Sequence, residues 1–137
     1  MSWPGPPTTK GASVYPNDRK YSPDHEWLKE GAPSRVGITA YAATSLDEAV
    51  YVELPQVGAV VTAGVACGEI ESVKSVSDLV APASGTVTAV NDSVVDDPKL
   101  ATDDPHGEGW LYEIEVTTTD DALMDAPAYE SFVAELQ

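Results

Sequence analysis

Short hydrophobic runs separated by turn residues dominate the chain. The runs EWLKE (26–30) and RVGITA (35–40) flank the turn segment GAPS, and residues 49–95 are rich in valine, alanine and glycine. A helix of normal length does not survive so many β-branched residues and glycines, whereas short antiparallel strands do. Further along, WLYEIEV (110–116) alternates apolar and polar side chains with the period of a strand. The pattern predicts a mainly β fold.

Two similar segments lie within the valine-rich region. PQVGAV (55–60) and PASGTV (82–87) share Pro, Gly and Val at the same relative positions, which indicates two similar strand-turn units. Lys74 lies between them. If the residues on either side of it pair as antiparallel strands, the turn falls at Val73 and Lys74 and presents the lysine at a hairpin tip.

Helical patterns are few and short. TSLDEAV (44–50) predicts one or two helical turns capped by Thr44 or Ser45, with acids in the favourable first turn, and residues 98–101 predict another single turn. The strongest helix is the C-terminal DAPAYESFVAELQ (125–137), with a capping Asp125 and a proline in its first turn. Its apolar residues share one face, which is expected to dock on the β core: Tyr129, Phe132, Val133 and Leu136.

Length and composition predict one domain. Residues 1–18 contain four prolines and two glycines without an apolar period, which indicates a flexible N-terminal lead-in before a single domain at 19–137. No run is apolar enough to span a membrane, and the N-terminus has no signal or transit pattern. We therefore expect a soluble, cytoplasmic protein.

The charge is strongly acidic and unevenly distributed. The formal net charge is −16 and the pI about 4.1, which disfavours nucleic acid and anionic membranes as partners. Such a surface suits partners with basic patches, or it only keeps the protein in solution. From residue 36 onward, Lys74 and Lys99 are the only cations among 19 acids. Lys74 is therefore either a presented functional group or a surface lysine that protects a strand edge.

Enzyme motifs are absent from the sequence. It contains no nucleophile elbow, phosphate-binding loop, HExxH or CxxC pattern, and its two histidines are too far apart to predict a metal site. Asp103 and Asp104 are an adjacent pair of the kind that chance produces in an acidic chain. Cys67 is expected to be a small buried residue, with Glu69 and Glu71 raising the pKa of its thiol.

Several segments together resemble one known family. EWLKE, VGIT, YVELPQVG, ESVKSVSDL, APASGTVTAVN and DPHGEGW follow one another in the order and spacing of the H protein of the glycine cleavage system, over about residues 20–136. In that family the lysine of E-S-V-K carries lipoic acid in amide linkage, and the matching residue is Lys74. Biotinyl domains use M-K-M and other lipoyl domains D-K-A, which this chain does not match. The neighbours that form the modification motif are Glu71, Ser72, Val73 and Ser75.

The resemblance implies a fold and a role. The implied fold is a barrel-sandwich hybrid of the lipoyl/biotinyl type, with two small antiparallel sheets, short helices and a C-terminal helix. The implied role is that of a carrier and not an enzyme. The carrier takes an aminomethyl group from a pyridoxal-phosphate-dependent glycine decarboxylase to a tetrahydrofolate-dependent aminomethyltransferase. A flavin-dependent dihydrolipoamide dehydrogenase then reoxidises it, and a lipoate ligase or a lipoyl/octanoyl transferase modifies it. The alternatives are a lipoyl carrier or relay for another pathway, and an unmodified interaction module.

The resemblance also implies a cleft for the loaded arm, whose amine is cationic. The implied cleft residues are Glu26, Asp78 and, as a weaker candidate, Ser45. The alternatives are a strand-edge carboxylate for Glu26 and a turn-forming side chain for Asp78. The chain departs from the family pattern at four positions: Ala40, Asp47, Ser75 and His106.

Overall fold

A computed structural model describes residues 15–136, which form two antiparallel sheets and four helices. The larger sheet has the order β1-β2-β3-β9-β8-β5, and the smaller has the order β4-β6-β7. The predicted mainly β fold with short helices and a C-terminal helix is confirmed. The strands are β1 Lys20–Tyr21, β2 Glu26–Lys29, β3 Ser34–Ile38, β4 Ala49–Glu53, β5 Val60–Val61, β6 Ala66–Ser72, β7 Val76–Val80, β8 Ala83–Val90 and β9 Tyr112–Thr119. The helices are α1 Ala40–Leu46, α2 Asp92–Asp96, α3 Lys99–Asp103 and α4 Ala126–Leu136.

The main core contains aliphatic residues from both sheets. They are buried because one face of each strand is apolar and turns away from water. Gly37 in β3 lies under the ring of Trp27 in β2, and a Cβ at that position would overlap the ring. The strand partners Trp27 and Gly37 therefore depend on each other's size. The largest aliphatic members of the core are Leu28, Val36, Ile38, Val52, Ile70, Leu79, Leu111 and Ile114.

The two similar segments found in the sequence pack against each other. In β5 and β8, Val60 pairs with Thr86 and Val61 with Gly85. Just before β5, the Gly58 N–H donates to the Val87 carbonyl at 2.8 Å. The repeated Pro-Gly-Val pattern thus lies at the starts of two strands that are neighbours in one sheet, β5 and β8.

Helix α1 begins earlier than the sequence predicted. Its N-cap is Thr39, whose Oγ1 accepts the Ala42 N–H at 3.2 Å, so capping by Thr44 or Ser45 is wrong. The helix ends before the acids that were expected in its first turn, because Asp47 at the C-cap has a φ of 74°. The turn predicted at 98–101 is found as α3, one residue later at its start. Helix α2, capped by Asn91, was not predicted.

Helix α4 packs against the outer side of β1 and β2. Asp125 caps it as predicted, since its Oδ1 accepts the Ala128 N–H at 3.0 Å. Tyr129 and Val133 are buried in a second cluster with Tyr21 and Trp27, and Phe132 packs at its edge. Leu136 is 50% exposed, so its assignment to the docking face is wrong.

The predicted lead-in is described only at its end. Residues 1–14 lie outside the described residues. In the remainder, the Tyr15 ring contacts the Tyr129 ring at a centroid distance of 5.1 Å, and the Pro16 carbonyl accepts the Tyr21 hydroxyl at 2.6 Å. The boundary at residue 18 stays a prediction. Within 15–136, no helix is long and apolar enough to cross a membrane, and no group of three potential metal ligands is found.

Candidate functional site

Lys74 lies at the tip of the hairpin formed by β6 and β7. Glu71 pairs with Val76, and the Ser72 N–H donates to the Ser75 carbonyl at 2.8 Å, which leaves Val73 and Lys74 as the loop. The predicted turn is confirmed. The Ser72 hydroxyl oxygen accepts the Ser75 N–H at 3.2 Å and lies 3.2 Å from the Ser75 hydroxyl. Ser75, one of the departures from the family pattern, therefore adds a polar contact across the turn.

The tip is exposed to solvent on all its side chains. Lys74 is exposed, and Val73 is 89% exposed. Lys74 makes no ion pair with any residue in the described range 15–136, although Glu71 in β6 and Asp78 in β7 lie close in sequence. The amine is thus accessible to a modifying enzyme and has no ionic contact to lose when its charge is removed.

A cleft of about 170 Å³ lies beside the hairpin, between β2, α1 and β7. It brings together all three residues implied as cleft candidates, Glu26, Ser45 and Asp78. Ser75, the residue that follows Lys74, also lines it. A flexible group on Lys74 would start from the rim of this cleft.

Glu26 is the buried acid of the cleft, with 2% of its surface exposed. Its Oε2 accepts the Val80 N–H at 2.6 Å, which links the larger sheet to the smaller, and its Oε1 has no hydrogen-bond partner among the described residues. Burial raises the pKa of this carboxyl well above its usual range, the Val80 hydrogen bond opposes the rise, and Asp24 adds to it. The strand-edge alternative is wrong, because β2 lies between β1 and β3.

Asp78 and Ser45 line the same cleft from more exposed positions. Asp78 lies in the middle of β7 directly opposite Glu69, so the turn alternative is wrong. Opposite residues of an antiparallel pair lie on the same face, and two like charges there repel each other. Ser45 is exposed in the last turn of α1. The cleft therefore contains one buried acid, Glu26, and two exposed acids, Asp24 and Asp78.

His25 is a cleft residue that the sequence did not indicate, since its only tested role was that of a metal ligand together with the distant His106. Its φ is 71°, its Nδ1 lies 2.7 Å from the Tyr129 hydroxyl, and its ring contacts that of Tyr41 at 4.6 Å. Burial lowers the pKa of His25, and Asp24 opposes this shift. The one available signal was its position next to Glu26 in HEW.

Cys67 packs against the main core but is half-buried, whereas a buried residue was expected. Its Sγ lies 3.5 Å from the Tyr112 hydroxyl. Burial raises the pKa of the thiol, the Tyr112 hydrogen bond opposes this, and Glu26 adds to it. The expected contribution of Glu69 and Glu71 is not found. A bulge in β6 between Ala66 and Gly68 interrupts the regular alternation of side chains, so Cys67 does not share a face with those acids in the usual way.

Two departures from the family pattern contact each other away from the cleft. The Ala40 N–H, in the first turn of α1, donates to Nε2 of His106 at 3.1 Å. The His106 carbonyl in turn accepts from the Arg19 guanidinium at 3.0 Å. Neither Ala40 nor His106 lines the cleft beside Lys74.

Comparison with known proteins agrees with this geometry. The family model described as "Glycine cleavage H-protein" matches residues 19–136. A glycine cleavage system H protein of Beutenbergia cavernae is 49% identical over 120 residues, covering 87% of this chain and 96% of the relative. One from Corynebacterium jeikeium is 52% identical over 124 residues, covering 87% and 97%. The crystal structure of a glycine cleavage system H protein from Mycobacterium marinum matches with a TM-score of 0.83 and 46% identity, covering 87% of this chain and 98% of that one. The chain belongs to the glycine cleavage H-protein family.

Proposed function

We propose that this protein is a lipoyl carrier of the glycine cleavage system, modified on Lys74. The observation that carries the proposal is the position of Lys74. It is an exposed lysine at a two-residue hairpin tip, adjacent to a residue that lines a cleft with a buried carboxylate. When attached, the lipoyl group supplies a disulfide that accepts an aminomethyl group and carries it to the next enzyme.

The residues near Lys74 fit such a group. Amide formation removes the positive charge of the lysine, and the exposed Val73 and the 58% exposed Val76 offer an apolar surface beside the attachment point. The Ser72 and Ser75 contacts hold the turn without covering the amine. A ligase or transferase can therefore approach the tip without unfolding the hairpin.

The cleft would receive the cationic amine of the loaded arm. Glu26 has one oxygen without a partner among the described residues. Burial favours the protonated carboxyl while the cleft is empty, and an ammonium beside it would favour the carboxylate and donate a charge-assisted hydrogen bond to it. Asp78 and Ser45 would add an exposed carboxylate and a hydroxyl from the other walls. Enclosing the amine here would keep water away from the loaded arm.

The proposed partners are the glycine decarboxylase, the aminomethyltransferase, the dihydrolipoamide dehydrogenase and the lipoylating enzyme. The net charge of −16 suits docking on basic surfaces of these partners. The protein itself would catalyse none of their reactions. The cytoplasmic location expected from the sequence stays a prediction.

Intact mass tests the modification. We expect a lipoyl-sized increase after co-expression with a lipoate ligase, and none in the matched variant Lys74→Arg, which keeps the charge. An unmodified wild-type protein would contradict the proposal and support an interaction module. Glycine-bicarbonate exchange with the decarboxylase then tests the pathway, since lipoylated protein without exchange would indicate a carrier for another pathway.

A further inference from the structure

The turn before Glu26 has a backbone conformation that does not suit its residue. The His25 N–H donates to the Ser22 carbonyl at 3.0 Å, and the Ser22 N–H donates to the Glu26 carbonyl at 2.8 Å. The three residues between Ser22 and Glu26 thus close the hairpin of β1 and β2, and the last of them, His25, has a φ of 71°. Glycine adopts this left-handed conformation more easily than histidine, and asparagine tolerates it as well. The backbone alone gives no reason for a histidine here.

The imidazole ring makes contacts that neither glycine nor asparagine could replace. Its Nδ1 lies 2.7 Å from the Tyr129 hydroxyl, which lies 2.8 Å from Thr39 Oγ1. Thr39 Oγ1 already accepts the Ala42 N–H, so its own proton is free to go to Tyr129. If Thr39 donates to Tyr129, the Tyr129 proton is left for His25 Nδ1. This order leaves the proton of a neutral imidazole on Nε2.

These contacts join two walls of the cleft. The His25 carbonyl accepts the Thr39 N–H at 3.0 Å, which ties the turn to the start of α1. The ring also contacts Tyr41 of α1, and both His25 and Tyr41 line the cleft. Because Glu26 follows directly in the chain, this connection holds the backbone at the start of β2, from which the Glu26 side chain extends to Val80.

We propose that His25 is a positioning residue for the amine-bearing arm: its ring, fixed by Tyr129, holds the wall that carries Glu26 at its distance from α1. The ligand class is a primary ammonium on a flexible arm. The proposal rests on the proposed function. It explains why a histidine occupies a left-handed position: the contacts of its ring hold the cleft wall, and they offset the strain of the backbone.

Two measurements on the full-length lipoylated protein test it. One is the half-life of the aminomethyl-loaded arm, followed by intact mass after loading with glycine and the decarboxylase. The other is the free energy of unfolding in urea. We expect His25→Gly to shorten the half-life about tenfold, because a displaced Glu26 no longer makes its charged hydrogen bond to the amine. The free energy of unfolding should change little, because relief of the positive φ offsets the lost ring contacts. His25→Asn, which tolerates the same backbone, should shorten it equally.

Two further variants separate positioning from general destabilisation. Tyr129→Phe keeps the stacking on Tyr21 at 5.0 Å but removes the hydroxyl, and should shorten the half-life in part. Asp47→Gly is the matched control, because Asp47 also has a positive φ, of 74°, but does not line the cleft. It should gain stability and keep the wild-type half-life.

The outcomes are distinguishable. An unchanged half-life in His25→Gly, or a half-life that follows stability in all four variants, would overturn the role of His25 alone. A wild-type protein that accepts no aminomethyl group would overturn the proposed function, and this role with it. In the unloaded protein, ¹⁵N chemical shifts of the His25 ring should show the Nε2–H tautomer in the wild type, and an Nδ1–H tautomer would contradict the hydrogen-bond order.

Discussion

The hairpin tip around Lys74 and the cleft wall around Glu26 differ in their exposure to solvent and in the contacts that hold them. The tip around Lys74 is exposed and is held by main-chain pairing and two serines that are its immediate neighbours. The wall around Glu26 is buried and is held by residues far away in the sequence, such as Val80 and Tyr129. A modification site needs access, whereas a receiving site needs protection from water. Changes at the tip should therefore affect chemistry alone, and removal of the buried Glu26 carboxyl should affect chemistry and stability together.

The largest expected effect is at the tip. Lys74→Arg should abolish lipoylation completely, because a guanidinium does not form the amide. It should change the free energy of unfolding by less than about 0.5 kcal/mol, because the side chain is exposed and makes no ion pair with a described residue. Intact mass and urea denaturation measure the two effects. A large loss of stability would show that the tip is not independent of the core.

The next effect is at the wall. Glu26→Ala should cost about 1–3 kcal/mol, because it leaves the part-buried Val80 N–H without its acceptor. Glu26→Gln keeps an acceptor of the same shape and should cost less. Urea denaturation measures both, and lipoylation should remain intact in both. Equal stability of the two variants would argue against the Val80 link.

The wall should also respond to pH. Burial raises the pKa of Glu26, so the folded protein keeps a proton that the unfolded chain has released. The contribution of Glu26 to the free energy of unfolding is greatest below the ordinary glutamate pKa of about 4.3. It decreases as the pH rises toward the pKa of Glu26 in the folded protein, by at most about 1.4 kcal/mol per pH unit. Urea denaturation between about pH 4 and 8 should show wild type losing stability relative to Glu26→Gln. A constant or growing advantage of the wild type would contradict the shift.

A smaller effect is expected at Asp47, whose strained backbone supports no contact in the cleft. Asp47 has a φ of 74° and a ψ of −72°, and the Glu48 N–H donates to the Leu46 carbonyl across it at 3.0 Å. This is the strained γ-turn that suits glycine. Asp47→Gly should stabilise the protein by about 1 kcal/mol, measured by urea denaturation. A loss of stability would mean that the Asp47 side chain makes a contribution of its own.

The smallest effect is expected on the exposed side of the cleft. Asp78 lies opposite Glu69, and removing one of two like charges should gain about 0.2–0.5 kcal/mol in Asp78→Asn. The loaded arm should lose part of its lifetime, since one carboxylate of the cleft is gone. Urea denaturation at low and high salt checks the first point, because salt should remove the gain. A loss of stability would contradict the repulsion.

The same contrast explains what the sequence could predict. The turn at Val73 and Lys74 and the cap at Asp125 depend on neighbours within a few residues, so both predictions are confirmed. The cap of α1 was assigned wrongly, because the acids after Ser45 look like a first turn when only local spacing is considered. The structure places them after the helix has ended.

The buried wall could not be predicted from local pattern. His25 contacts Tyr129, which lies about a hundred positions further along the chain, and the pairing of Ala40 with His106 is similarly distant. Burial is the main cause of the raised pKa of the Cys67 thiol, and the acid that adds to the rise is Glu26, distant in the chain, and not Glu69 or Glu71. Resemblance to a family named Glu26, Ser45 and Asp78, but only the fold brings them to one cleft.

The central claim is that Lys74 carries the arm and that the cleft receives its load. The most direct test incubates lipoylated wild-type protein with glycine and the decarboxylase, and follows the mass of the peptide that contains Lys74. We predict the mass of one lipoyl group plus one aminomethyl group on that peptide, with a half-life that Glu26→Gln shortens. A lipoylated peptide that never gains the mass of the aminomethyl group, or a half-life that is the same in wild type and Glu26→Gln, would contradict it.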